Sequence, residues 1–260
     1  MEINWWQAAV LGLVQGATEF LPVSSSAHLI LVPRLLRWPD PGLAFDVALH
    51  VGTLLALLFY FRREWAGMIR LRPENLRLLS LLLVGTIPGA LAGLLLQDAA
   101  ETSLRSPLLI AFTLATFGVV LWAVDGLWPR HRSFRDLGFG AALLIGLGQS
   151  LALVPGVSRS GATMTAARLL GYDRPAAARF SFLLSAPVIL GAGLLELTHL
   201  PKETLLHPAF LAGVGAAALS SLLAIAFLLS FLQRSSFRIF ALYRLLLGGV
   251  VLLLLWTGKM

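Results

Sequence analysis

Two short polar stretches inside otherwise apolar sequence carry the residues that could do chemistry. The first runs Glu19-Phe20-Leu21-Pro22-Val23-Ser24-Ser25-Ser26, with Gln15 four residues before the glutamate and His28 three after Ser25. On a helix, Gln15 and Glu19 share one face. Three consecutive serines exceed what a helix cap needs, and a hydroxyl and an imidazole at the spacing of Ser25 and His28 can exchange a proton. The second stretch is Pro155-Gly156-Val157-Ser158-Arg159-Ser160-Gly161-Ala162-Thr163. Gly156 lets backbone approach a ligand closely, and the helix that opens here aims free N–H groups and its positive end into the break. Ser158, Ser160 and Thr163 add hydroxyls, and Arg159 adds a planar fork suited to phosphate oxygens. The sum is an anion cradle, most naturally for phosphate, with Ser24 and Ser26 as further hydroxyls around it. A blander reading makes each stretch a capped helix start whose Glu19 and Arg159 pair for packing. The two readings are compatible, with Glu19 as the resting partner of Arg159. Asp46 and His50, four apart with Thr53 a turn further on, fit either the rim of such a site or an interfacial pair.

The solvent around these stretches is lipid. Hydrophobic residues make up 58% of the 260, and only 13% are charged, about half the share of a soluble domain. The net charge is +7, yet the basic residues are almost all arginines in short gaps between apolar runs. That is a membrane-orientation signal and not a nucleic-acid surface. The absence of cysteine excludes disulfides, thiolate catalysis and Cys-ligated metals. The first residues lack a basic n-region, and Gln15, Glu19 and Pro22 interrupt the apolar run after them, so no cleavable signal peptide is expected.

Six stretches are long and apolar enough to span, near 45–61, 78–97, 107–128, 180–198, 209–232 and 238–257. The gaps at 62–77, 129–136 and 233–238 are rich in arginine, whereas 98–106 offers only Arg105 and 199–208 only Lys202. The positive-inside rule puts the first three in the cytoplasm and the last two outside. Residues 137–179 must then enter and leave on the same side, and so must residues 5–44, on the opposite side. Both read as re-entrant hairpins broken at the polar stretches. Backbone that leaves the helix at membrane depth must be buried in protein or line a wet cavity. Glu19 and Arg159, as charges at that depth, mark a functional site. Arg168, Arg174 and Arg179 read as cytoplasmic anchors, Asp125 and Glu196 as interfacial.

At an offset of 134, Leu13, Gln15, Val23, Ser24 and Ser26 match Leu147, Gln149, Val157, Ser158 and Ser160. Each half holds one hairpin and an odd number of spans, so the second half is inverted. The expected fold is an all-α polytopic membrane protein of six spans and two re-entrant hairpins. It forms an inverted repeat of residues 1–128 and 129–260 within one integrated domain, with the site at mid-depth.

The stretch Gln15-Gly16-Ala17-Thr18-Glu19-Phe20-Leu21-Pro22-Val23-Ser24-Ser25-Ser26-Ala27-His28 resembles the first motif of the bacterial undecaprenyl-diphosphate phosphatases, the bacitracin-resistance family. Pro155 to Thr163 is similar to that family's second motif without a gap, and Phe180-Ser181-Phe182-Leu183-Leu184 with Pro187 also fits; the likeness runs essentially end to end. The resemblance implies hydrolysis of undecaprenyl diphosphate to the monophosphate, recycling the lipid carrier of peptidoglycan synthesis. By position it implies Glu19, Ser25, His28 and Arg159 as catalytic groups, with the second-motif hydroxyls around the phosphate. It further implies a divalent cation, Mg²⁺ or Ca²⁺, a long-chain prenyl diphosphate as the partner, and a site opening to the outer side of the bacterial plasma membrane. Whether the chain forms a homodimer is left open.

Two departures matter. Gln15 stands where the motif often has a second glutamate, so a cation on Glu19 needs phosphate oxygens to complete its shell. Ala27 replaces a common glycine. A lipid-phosphate transporter or flippase is the alternative, using the same mid-depth anion site. A phosphatase of the phosphatidic-acid type fails, because Thr165 and Leu169 stand where its later His and Asp would be. A purely structural protein has no use for three hydroxyls and an arginine at a break.

Overall fold

The computed structural model describes residues 3–70, 72–101, 103–197 and 207–258. Lys202 and nearly all of the 199–208 gap lie outside the described residues, as does the side chain of Glu196. Eleven α-helices are present among the described residues: α1 (Trp5–Glu19), α2 (Ser25–Leu36), α3 (Leu43–Tyr60), α4 (Arg62–Ile69), α5 (Pro73–Glu101), α6 (Pro107–Leu127), α7 (Phe139–Ser150), α8 (Arg159–Leu169), α9 (Arg174–Leu197), α10 (Pro208–Phe231) and α11 (Arg238–Trp256). Five of them, α5, α6, α9, α10 and α11, are long and apolar enough to cross a bilayer. Helix α3 makes the sixth when taken with α4, from which it bends by 82° at Phe61. The chain is an all-α, multi-pass membrane protein. Its outward-facing residues include Leu55, Leu83, Leu95, Phe112 and Leu223, a surface that only lipid tails would cover without penalty. Trp5, Trp6, Trp122, Trp128 and Trp256 are exposed.

The remaining helices are two short pairs, α1–α2 and α7–α8. Helix α1 opens with a reciprocal cap, Asn4 Oδ1 accepting from the Gln7 N–H and Gln7 Oε1 from the Asn4 N–H, each at 3.0 Å. It stops at Glu19, three residues before Pro22, which can neither donate nor continue the helix. Helices α2 and α8 then start on serine caps, Ser24 and Ser158, at φ 73° and 71°. Both serines sit in the left-handed region, uncommon for a residue with a side chain. Each cap accepts the N–H three residues on, of Ala27 and of Gly161.

The pairs are held by close crossings of small residues. Helix α1 packs on α10 so tightly that a Cβ on Gly12 would stand 2.1 Å from the Gly213 carbonyl oxygen. Helix α7 packs on α5 with the same intimacy, a Cβ on Gly146 standing 2.1 Å from the Gly85 carbonyl oxygen. Packing of this kind lets backbones meet where lipid offers no hydrophobic drive. The arginine-rich gap at 62–77 contains the start of α5 and helix α4, whose Gly67 and Met68 are buried. Asp125, near the end of α6, is fully buried, bound by Arg174 Nε and Nη2 at 2.7 and 2.8 Å and by Arg168 Nε at 3.3 Å. Arg168 is likewise wholly buried, donating to the Pro129, Trp128 and Tyr172 carbonyls.

Candidate active site

The two breaks meet. The Gly156 N–H donates to Ser24 Oγ at 3.2 Å, and the Ser160 hydroxyl donates to the Leu21 carbonyl at 2.9 Å. These bonds cross from each break to the other and satisfy polar groups that lipid could not. They bring the N-termini of α2 and α8 to one cavity of about 200 Å³. Its lining includes Glu19, Ser25, Ser26, His50, Ser158 and Arg159, with Val47, Val188, Ile189 and Ala192 as apolar wall.

Glu19 organises the cavity. Its Oε1 accepts from Arg159 Nη2 at 3.0 Å. Its Oε2 accepts from the Ser25 hydroxyl at 2.6 Å and from Gln15 Nε2 at 3.0 Å, and lies 3.3 Å from His50 Nε2. Arg159 also donates to the Ser181 carbonyl at 3.1 Å, which fixes its fork at the cavity edge. His50 Nδ1 is 2.7 Å from the Asp46 carbonyl, an atom that only accepts. Nδ1 therefore carries hydrogen, and the approach of Nε2 to a carboxylate is attractive only with a proton between them. A hydroxyl, a carboxylate, an imidazole and a guanidinium thus converge, a set able to deprotonate an alcohol and bind phosphate.

The other expected residues have different places. Ser24 is spent on capping and on Gly156, and its hydroxyl pairs with that of Ser26 at 3.2 Å. Ser160 splices the breaks. Thr163 turns away, donating to the Arg159 carbonyl at 2.8 Å and meeting Ser181 Oγ at 2.6 Å. Gly156, at φ +92°, is needed because a Cβ there would stand 2.0 Å from Thr113 Oγ1. The Asp46 carboxylate faces Arg105 Nη1 at 3.5 Å and reaches the site only through its carbonyl.

His28 does not join Ser25. Its Nδ1 donates to the Ser24 carbonyl at 2.7 Å, and its Nε2 accepts from the Tyr243 hydroxyl at 2.6 Å. Both nitrogens are committed, and His28 does not line the cavity. The i,i+3 spacing put hydroxyl and ring on neighbouring faces, but a distant tyrosine captured the ring.

A resident divalent cation does not fit these donors. Glu19 is the one carboxylate of the cavity lining, and both of its oxygens already face donors. No group of three or more His, Asp or Glu side chains able to hold an ion occurs among the described residues, whereas Mg²⁺ and Ca²⁺ need at least six oxygens. The buried Gln15 Oε1 has no partner, but one neutral oxygen does not make up the shell.

The family model described as "Bacitracin resistance protein BacA" matches residues 8–250. The chain belongs to the BacA family. Among similar proteins, one of Gemmatimonas aurantiaca named "Undecaprenyl-diphosphatase" is 54% identical over 256 residues, covering 95% of this chain and 96% of its own. One of Moorella thermoacetica with the same name is 51% identical, covering 97% and 98%. One of Stutzerimonas stutzeri, named "Undecaprenyl-diphosphatase 2", is 49% identical, covering 95% and 97%.

Proposed function

We propose that this BacA-family membrane protein hydrolyses undecaprenyl diphosphate to undecaprenyl phosphate and inorganic phosphate, returning a lipid carrier to peptidoglycan synthesis. The observation that carries the reading is the Ser25 hydroxyl bound to Glu19 at 2.6 Å, in a cavity whose other wall is Arg159. A transport site needs an anion cradle but no hydroxyl aimed at a carboxylate.

In this mechanism the terminal phosphate enters against Arg159 and the N–H ends of α2 and α8, drawing Arg159 away from Glu19. Ser25 Oγ attacks the terminal phosphorus and its proton passes to the Glu19–His50 pair. The bond to the bridging oxygen breaks, and undecaprenyl phosphate leaves as a stable anion that needs no proton. A water then attacks the phosphoserine, and Ser25 leaves and recovers its proton while the proton from water goes to phosphate or to Glu19. Arg159 and the helix N-termini hold the charge that grows on the equatorial oxygens. Gln15 fixes the rotamer of Glu19. Any divalent cation the reaction uses belongs, on this reading, with the phosphates of the lipid and not with protein ligands.

The arginine-rich gaps and matched breaks support an inverted repeat whose cavity opens to the outer side, where Val47 and His50 stand near the start of α3. Cysteines placed at Arg72 and Arg132 are expected to react only when the inner face is exposed; labelling from outside would reverse the orientation. The test of function is phosphate release from undecaprenyl diphosphate by purified protein, with rapid quench to trap label on Ser25. Lipid movement across vesicles without phosphate release would favour transport instead.

A further inference from the structure

Arg244 lies seven residues into α11, wholly buried. No carboxylate pairs with it among the described residues. Every acceptor it meets is a backbone carbonyl: Gly156 and Val157, each 2.9 Å from Nη2, Pro22 at 3.5 Å from Nη1, and Leu114 at 3.4 Å from Nε. A buried, unpaired charge at membrane depth is costly enough to demand a use.

The choice of carbonyls indicates the use. Pro22 and Gly156 stand at the same position of the two breaks, two residues before the caps Ser24 and Ser158. One planar fork therefore grips the equivalent carbonyl of each break. The residues that open α2 and α8, Ser25, Ser26 and Arg159, line the cavity. The preceding residue, Tyr243, holds α2 through His28. A side chain on Gly161 would crowd this arrangement, because its Cβ would stand 2.7 Å from Arg244 Nη1.

We propose that Arg244 is a positioning residue that sets the spacing between the Ser25 break and the Arg159 break, and so the line of attack on phosphorus. It makes no hydrogen bond to Ser25 or Arg159, and Arg159 keeps its own bonds to Ser181 and Glu19. Loss of the clamp therefore affects the chemical step more than substrate capture. The inference rests on the hydrolysis reading.

The experiment is steady-state phosphate release from undecaprenyl diphosphate in detergent micelles, with melting measured on the same samples. Arg244→Lys keeps the charge, but one ammonium cannot span both breaks. It is expected to lose about 10²-fold in kcat with KM little changed, the cost of a displacement near 1 Å. Gly161→Ala keeps Arg244 and its charge while pushing the guanidinium aside, and is expected to lose about tenfold in kcat by the same misalignment. It carries the test if the lysine variant does not fold. A fall in melting temperature with normal kcat would make Arg244 a structural residue and overturn the proposal. A raised KM at constant kcat would make it part of phosphate capture and overturn it too. If the wild type releases no phosphate, the hydrolysis reading fails and the clamp with it. If the wild type is active and both variants match it, only the clamp fails.

Discussion

At the first break the residue after the cap is Ser25, and at the second it is Arg159. The backbone at the two places is nearly the same: a serine cap at φ 73° or 71°, an N–H bonded back to its hydroxyl, and a second serine two residues on, 3.2 Å away in each case. The residues before the caps differ. Glu19 stands five residues before Ser24, whereas Leu153 holds that place before Ser158. Gln15 donates to Glu19, while its counterpart Gln149 is buried with neither amide atom bonded. On the proposed mechanism the same backbone serves twice, once for proton transfer and nucleophile, once for charge. On that reading the shared backbone supplies the geometry, and single residues assign the roles.

Substitutions at Glu19 and Ser25 test that division most severely. Glu19→Gln and Ser25→Ala are expected to lower kcat by about 10³-fold or more, since one removes the base and the other the attacking oxygen. Rapid quench should show no phosphoserine in the alanine variant. Substantial turnover there would move nucleophilic attack to a water.

Arg159→Lys is expected to cost about 10²-fold, because a point charge replaces a fork between Glu19 and the Ser181 carbonyl. Near-normal turnover would leave the second break as a scaffold only. A smaller effect separates the histidines. His50→Gln should lose roughly tenfold in kcat as the proton store beside Glu19 disappears. His28→Phe should instead lose stability through the Tyr243 contact, with kcat per folded molecule retained. The reverse pattern would restore His28 to the chemistry.

The smallest change probes the unused counterpart. Gln149→Leu removes an amide with no partner and fills its space with carbon, so stability should rise by about 1 kcal/mol with turnover unchanged. Gln15→Leu, at the matching place, should impair turnover because Glu19 loses a donor. Melting and phosphate release on the two variants distinguish them.

Much of this arrangement is legible in the residues. Pro22, Pro155 and Gly156 mark where helices cannot continue, and Glu19 and Arg159 are charges that lipid would not tolerate without a partner. Their pairing is a consequence of the topology. The position of His28 could not be read, since its fate depends on Tyr243, far along the chain. Thr163 looked like a phosphate donor, but a threonine one turn into a helix bonds back to its own carbonyls. His50 could be placed only as rim or interface, because its meeting with Glu19 depends on how α3 leans on α1. Arg244 carries in the sequence the same signal as Arg159: an arginine inside an apolar run, with no acid in its own helix.

The crossings of Gly12 on Gly213 and of Gly146 on Gly85 bear on how the chain is made. Each short pair rests on a span belonging to the other half, so neither half can complete itself. Helix α1 leaves the ribosome well before its seat, α10. Until the second break and α10 are made, the polar turn behind α1 lacks its partners Gly156 and Ser160, and α1 lacks its seat. The nascent first pair must wait at the membrane surface or beside the insertion machinery, and the site closes only once α10 has followed. Two separately encoded halves would meet the same requirement only by embracing each other.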